Sequence, residues 1–300
     1  VPTTAAFTTN APTTAPTTSA PLPVGLGNWP APSLAVESLG DLPALLPASP
    51  IAGADDAVRF EQDLDGAPID YVQVFVADDG SRLLQITTNI FQVDSTPRER
   101  RDHVEIEPWD AAFFTRSAPG FANLTLGGPG GYIQLNGRNM SRDEALAAAR
   151  SMQRRAGARA GWDVEELPAT MSLLHEGWLG DYTVREIDWT YDGELLAELS
   201  IWSGNPTAMQ SVASLSGPFT TVDIDGHRAV ASERSVPVGD PISLLAWSPS
   251  TDVVIYLGMR APLVDVVEVA RTLQPVDLAT WNAAARPAPP SFDGCQSFLC

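Results

Sequence analysis

Lysine is missing from this chain: all 18 basic residues are arginine. That absence excludes Schiff-base lysines, lysine-dependent phosphate loops and Ser–Lys dyads. Cysteine occurs only at Cys295 and Cys300, too close to the end for a catalytic thiol in the body of a fold. The pair could close a small terminal disulfide in an oxidising compartment or stand as two free thiols, and the spacing leaves both readings open. His103, His175 and His227 lie far apart, none with a second His or Cys at ligand spacing, so no metal or cofactor is expected. No apolar run approaches the ~20 residues a membrane helix needs, so no span is expected within 1–300. Positive charge is scarce: 37 acidic against 18 basic residues give a net charge of −19. Neither nucleic acid nor an anionic membrane surface is therefore an expected partner.

Familiar catalytic and ligand motifs are absent as well. There is no Gly-x-Ser-x-Gly elbow. Asp63-Leu-Asp65-Gly66 and Asp223-Ile-Asp225-Gly226 resemble the start of a calcium loop, but a twelve-residue loop from either would end on Val74 or Arg234 rather than on Glu. The glycine run Leu126–Gly131 has no following lysine and no helix start.

What is present begins with a biased N-terminus. Residues 1–30 repeat Thr, Ala and Pro, carry no charge and show no apolar period, so they read as a disordered stem. In an extended conformation thirty such residues span up to ~90 Å. The chain starts on Val1 rather than Met, and an anchor or signal peptide could have preceded it. Together these features point to an extracytoplasmic protein, secreted or tethered to the envelope. Residues 286–300, with a Pro cluster and the Cys pair, read as an irregular tail. Between the two ends, 44 % apolar and 18 % charged residues are enough for a sizeable core.

The middle contains an internal repeat. Residues 121–152 align without a gap on 242–273, with Leu124/Leu245, Gly137/Gly258, Ala149/Ala270 and Arg150/Arg271 identical. Each copy reads strand, turn, strand, helix. Ser141 and Glu144 form a capping-box pattern, and Pro262 suits the first helical position of the second copy. Upstream, 71–88 aligns on 184–201, bringing the hairpin signals Asp79-Gly80 and Asp192-Gly193 together. A short final helix bearing Trp281 is expected over 277–284. The fold class expected is α+β, two duplicated units that are each an antiparallel meander closed by a helix, at 31–160 and 161–285.

The second unit, with its Ile224–Ala229 turn, the strand ending at Trp247 and the helix ending VARTL (269–273), resembles actinobacterial extracytoplasmic domains of unknown function. In architecture it is similar to the half-barrel domains of sigma-factor regulators and lipoprotein carriers. The resemblance implies a compartment and a fold, and it assigns no site residue.

One segment breaks the acidic background. Arg98, Arg100, Arg101 and His103, with Trp109 just beyond, lie where the two copies differ, and form a candidate interaction loop. The competing reading is a solvated turn neutralised by its own Glu99 and Asp102. Eight tryptophans offer material for a core or for a ligand groove. Three functions follow as expectations: a non-enzymatic sensing or interaction domain with an envelope protein as partner, a carrier of lipid or another apolar ligand, and a glycan- or wall-acting hydrolase built on an acidic pair.

Overall fold

The computed structural model describes residues 39–62, 70–89, 101–107, 109, 111–115, 120–128, 131–155, 161–168, 170–179, 183–203, 219–237, 239–250 and 253–288. The stem, Arg98, Arg100, Cys295 and Cys300 lie outside them. After a 3-10 turn at Leu39–Asp41 come β1 (Leu45–Pro47), β2 (Asp56–Gln62), β3 (Asp70–Ala77), β4 (Leu83–Asn89), β5 (Arg101–His103), β6 (Ala111–Thr115), β7 (Phe121–Gly128) and β8 (Gly131–Arg138). Helix α1 (Arg142–Ser151) leads to β9 (Met152–Arg154), β10 (Trp162–Val164), β11 (Met171–Leu179), β12 (Val184–Tyr191), β13 (Glu194–Ser203), β14 (Phe219–Ile224), β15 (His227–Arg234), β16 (Ile242–Ser250) and β17 (Val253–Arg260). The chain closes with α2 (Leu263–Arg271), β18 (Leu273–Pro275), α3 (Leu278–Ala284) and β19 (Arg286–Pro287).

The fold is mostly β, which corrects the α+β class expected above. Strands of 8–10 residues are common, whereas the helices have 10, 9 and 7 residues. The physical reason lies in burial. A meander closed by one helix needs one apolar face per strand, but β12 is buried along both faces, from Val184 to Thr190. Strands buried on both sides require a layer on each side, and here a second sheet supplies the other layer.

The first sheet runs β11-β3-β4-β8-β7-β6-β5 and the second β14-β15-β16-β17-β13-β12-β2-β19. Alternation along each strand divides its side chains between two layers. In the first sheet Leu84, Ile86, Leu124, Leu126 and Leu135 face α1, packing on Ala145, Ala148 and Ala149. In the second, Leu199, Leu245, Ile255 and Leu257 join Val266 and Ala270 of α2 and Trp281 of α3. The opposite faces meet each other: Val72, Val74 and Val76 of β3 pack with Val230, Leu244, Ala246, Val254 and Tyr256. The order of layers is thus helix, sheet, sheet, helix.

The strands are not partitioned at residue 160. The strands of the first sheet, β11 included, all come from residues 70–179, an interval that also holds α1 and the separate β9–β10 pair. The second takes 184–287, but β2 pairs along the outer edge of β12, and β1 pairs with β18. The N-terminal segment occupies beside β12 the position that β11 occupies beside β3. An early piece of chain thus completes the late sheet.

The gap-free alignment of 121–152 on 242–273 slips by one residue inside the hairpin. Leu124 and Leu245 both face a helix, but so do Leu135 and Leu257, which are 122 apart, while Tyr256 faces the other sheet. An irregularity between Trp247 and Ser250 absorbs the extra residue. Since side chains alternate with period two, one added residue turns the following strand over.

One contact between the sheets depends on glycine. Gly80 has φ +68°, and a Cβ there would sit 2.5 Å from the Thr220 backbone. Around it, Thr221 Oγ1 donates to the Asp78 carbonyl at 2.9 Å and the Arg228 guanidinium donates to Ser172 Oγ at 2.8 Å.

Candidate functional site

Two places carry chemistry. The first is the end of the first sheet, where β5 pairs with β6 in the register Arg101↔Thr115, Asp102↔Phe114, His103↔Phe113. On one face the Arg101 guanidinium lies 4.3 Å from the Phe113 ring centre, and the His103 ring lies 6.0 Å from the same ring. On the other face Arg142, from the first turn of α1, stacks 4.3 Å from Phe114 and pairs with Asp102 at 3.1 Å. The helix start is fixed by its cap: Ser141 N–H donates to Glu144 at 2.8 Å and Glu144 N–H donates to Ser141 Oγ at 3.2 Å. Two planar cations are therefore held against aromatic faces at a sheet edge, an arrangement that preorganises guanidinium groups.

Of the residues singled out by sequence, Arg101 and His103 come together on this edge. Trp109 goes elsewhere: it is half-buried among the residues packed on the α1-side core, its ring 5.8 Å from that of Trp162 and edge-on to it. Arg98 and Arg100 lie outside the described residues.

The second place was not anticipated. Glu186 and Asp188 on β12 and Glu198 and Ser200 on β13 share one face, with Glu186 opposite Ser200 and Asp188 opposite Glu198. Ser200 in turn lies opposite Tyr256 of β17, which belongs to the layer between the sheets. All are enclosed: Glu198, Ser200 and Tyr256 are 0 % exposed, Asp188 4 % and Glu186 7 %. The Ser200 hydroxyl lies 2.7 Å from Glu186 and 3.2 Å from Glu198. A hydroxyl has a single proton to donate, so bonding both carboxyls requires one of them to keep its own proton. Burial, then the neighbouring Glu198 charge, pushes the Asp188 carboxyl up to about 7. Burial also raises Glu186 well above the usual range, with Glu198 and Asp188 adding to it and the Ser200 bond opposing. Asp188 Oδ1 and the Tyr256 hydroxyl have no hydrogen-bond partner.

The strand sequence VREIDWTY carried the only available signal, carboxylates at alternate positions among Ile and Trp. Read alone, that alternation sends the acids to solvent, because nothing local announces a second sheet above them. His175, on the facing side of β11 opposite Val74, is also buried, and burial drives its imidazole down to about 4. Among the described residues no group of three or more His, Cys, Asp or Glu converges to hold a metal ion. A shallow cleft of about 370 Å³ opens between the N-terminal segment and α3, lined by Ile51, Asp55, Asp56, Trp189 and Arg286 among others.

No family model matches the chain, and no curated protein matches it. Among solved structures, the apo immunity protein TplEi of the T6SS from Pseudomonas aeruginosa is similar over 78 % of this chain and 95 % of that one, at 10 % identity and a TM-score of 0.22. A likeness at that score carries no argument for fold or function. No helix among the described residues is long and apolar enough to cross a membrane.

Proposed function

We propose that this chain is a non-enzymatic extracytoplasmic interaction protein, held off the envelope by its Thr/Pro-rich stem, which recognises an acidic, extended segment of an envelope partner along the β5 edge. The observation that carries the reading is the pair of arginine–aromatic stacks on that edge, Arg101 on Phe113 and Arg142 on Phe114. Among the described residues β5 pairs with β6 alone. Its outer backbone groups therefore offer a strand-addition template, and the arginines favour carboxylate-bearing sequences. The extracytoplasmic placement is supported by the composition of residues 1–30 and by the resemblance noted above.

The other two readings gain less support. A carrier needs room between helix and sheet, but that space is filled by Ala145, Ala148 and Ala149 packed on Leu124, Leu126 and Leu135, all at most 1 % exposed. A hydrolase needs carboxyls that meet a polymer, and the Glu186, Asp188 and Glu198 cluster is sealed between two sheets, while Asp56 at the open cleft is engaged by Arg286.

The test is capture from envelope extracts with cross-linking, comparing wild type with Arg101→Glu and with Arg150→Glu, a control on the exposed end of α1. The reading expects a partner whose capture is lost in the first variant and kept in the second, with backbone amides of β5 protected on binding. Equal capture by both variants, or protection confined to another element, overturns it.

A further inference from the structure

We infer that the enclosed layer of Glu186, Asp188 and Glu198 is a proton-operated latch, which holds the N-terminal segment in the second sheet in acid and loosens it as pH climbs towards neutral. The inference goes beyond the proposed function and uses none of the residues on the β5 edge.

The geometry comes first. Strand β12 lies between β13 and β2, and β2 places Val58 opposite Asp188 and Phe60 opposite Glu186. The strand beside the acids thus presents them with apolar side chains and no cation. Among the described residues the other titratable or charged groups of this layer are Tyr256 on β17, Arg260 further along the same face of β17 where it pairs with Glu194, and Arg234 on β15, with His175 on the facing β11 and Arg138 and Arg228 at the meeting of the sheets. Burial already favours the uncharged forms of His175 and Tyr256. In the protonated state Glu186 and Glu198 share Ser200 as hydrogen-bonding groups, and Asp188 beside them is uncharged. Once ionised they are two or three like charges on neighbouring positions of a dry sheet face.

The cheapest relief is to hydrate β12 from its outer side. The strands β12 to β17 of the second sheet all come from the run 184–260, so moving one drags its neighbours. The segment 45–62 leaves by breaking the β2–β12 and β1–β18 pairings, the short β19 pairing and a few ion pairs, and by withdrawing two buried side chains, Leu45 and Ile51, from the core beside α2 and α3. The ion pairs are Arg286 with Asp56 at 2.6 Å and Arg185 with Glu61 at 3.3 Å, and Arg286 holds the Asp56 carboxyl below the usual values, so that pair persists across the relevant range. It gives the segment a constant grip, while the acids beneath supply the variable one. All seven residues of β2 are only half-buried, so the strand itself gives up little burial on leaving, while the β12 acids beside it gain water.

The linkage sets the direction and the size. The closed state keeps protons that the opened state releases, so opening grows by up to tenfold per pH unit for each proton, between the ordinary carboxyl range and the raised one.

The test is amide hydrogen exchange on the full chain at pH 5.0 and 7.5, corrected for intrinsic exchange rates. The latch expects exchange in 57–62 to rise at least tenfold from pH 5.0 to 7.5, with β3 and β11 changing much less. The triple variant Glu186→Gln/Asp188→Asn/Glu198→Gln is expected to abolish that rise. Should the triple variant fail to fold, Asp188→Asn alone is expected to reduce it. Unchanged protection of β2 in wild type overturns the latch, and so does a rise shared equally by the first sheet. A rise of the same size in the folded variant overturns it too.

Discussion

Asp188 and His175 illustrate how two buried groups pull stability in opposite directions over one pH range. The Asp188 carboxyl titrates near 7 when folded and near its ordinary 3.8 when unfolded. The native state thus holds an extra proton between those values, and the stability it brings is full below about 4 and gone above about 7. His175 titrates near 4 when folded against 6.5 unfolded, so its contribution is present above 6.5 and is lost as pH falls towards 4. The two largely cancel between 4 and 6.5, leaving the raised Glu186 to tilt the balance towards acid. Replacing His175 by Gln is therefore expected to steepen the decline of stability with rising pH, and Asp188→Asn to flatten it. Denaturant titrations at half-unit pH steps would check both, and parallel curves for the two variants would contradict this account. Glycines offer a second comparison. Gly80→Ala meets the Thr220 backbone, while Gly193 has φ +78° with nothing within 4 Å of a built Cβ. Gly193→Ala is expected to cost about 1 kcal/mol, the price of the left-handed backbone alone. Gly80→Ala should cost at least twice that, read as the difference in thermal midpoints.

At the scale of elements, local chemistry could be read where its partners are near in sequence. Ser141 and Glu144 announce the start of α1, and the helix begins there. Asp192 and Gly193, both at positive φ, make the β12–β13 turn that the dipeptide signals, and Asp277 caps the short helix carrying Trp281. Ser141→Ala is expected to destabilise by about 1 kcal/mol, since it removes one half of the box. Non-local information was out of reach. The irregularity between Trp189 and Thr190 shifts the register without any glycine or proline to mark it as a bulge, and the one between Trp247 and Ser250 holds only Pro249, which reads equally well as a turn residue. Nor does anything in residues 45–62 say that their partner strand begins more than a hundred residues later. That pairing makes its own prediction. A chain starting at Asp70 is expected to keep the first sheet but to expose the edge of β12 and self-associate. A synthetic peptide spanning 39–62 is expected to restore a monomer, measured by light scattering. Monomeric behaviour without the peptide would show the segment to be dispensable.

For the molecule as a whole, the error in fold class and the missed acidic layer have one origin. Sequence alternation tells which residues share a face but not what lies above that face. Expecting solvent over the polar face of each sheet led at once to helices as the main cover and to exposed acids. With two sheets face to face, the same alternation yields an interior of Val72, Val74, Leu244 and Tyr256 at one part and of Glu186, Asp188 and Glu198 at another. The net charge of −19 belongs to the same scale. It leaves the β5 edge as a local exception, so binding of an acidic segment there is expected to weaken as salt is raised from 50 to 500 mM. A partner that binds more tightly in high salt would instead point to an apolar contact. The closure of the late sheet by an early strand bears, lastly, on the order of events at the ribosome. Residues 70–179 carry every strand of their own sheet and can condense while the rest is still being made. Residues 45–62 emerge before them yet must wait for Val184–Tyr191 to appear. Throughout that interval an unpaired strand is open to wrong partners, which makes delayed annealing of this segment the expected slow phase of refolding.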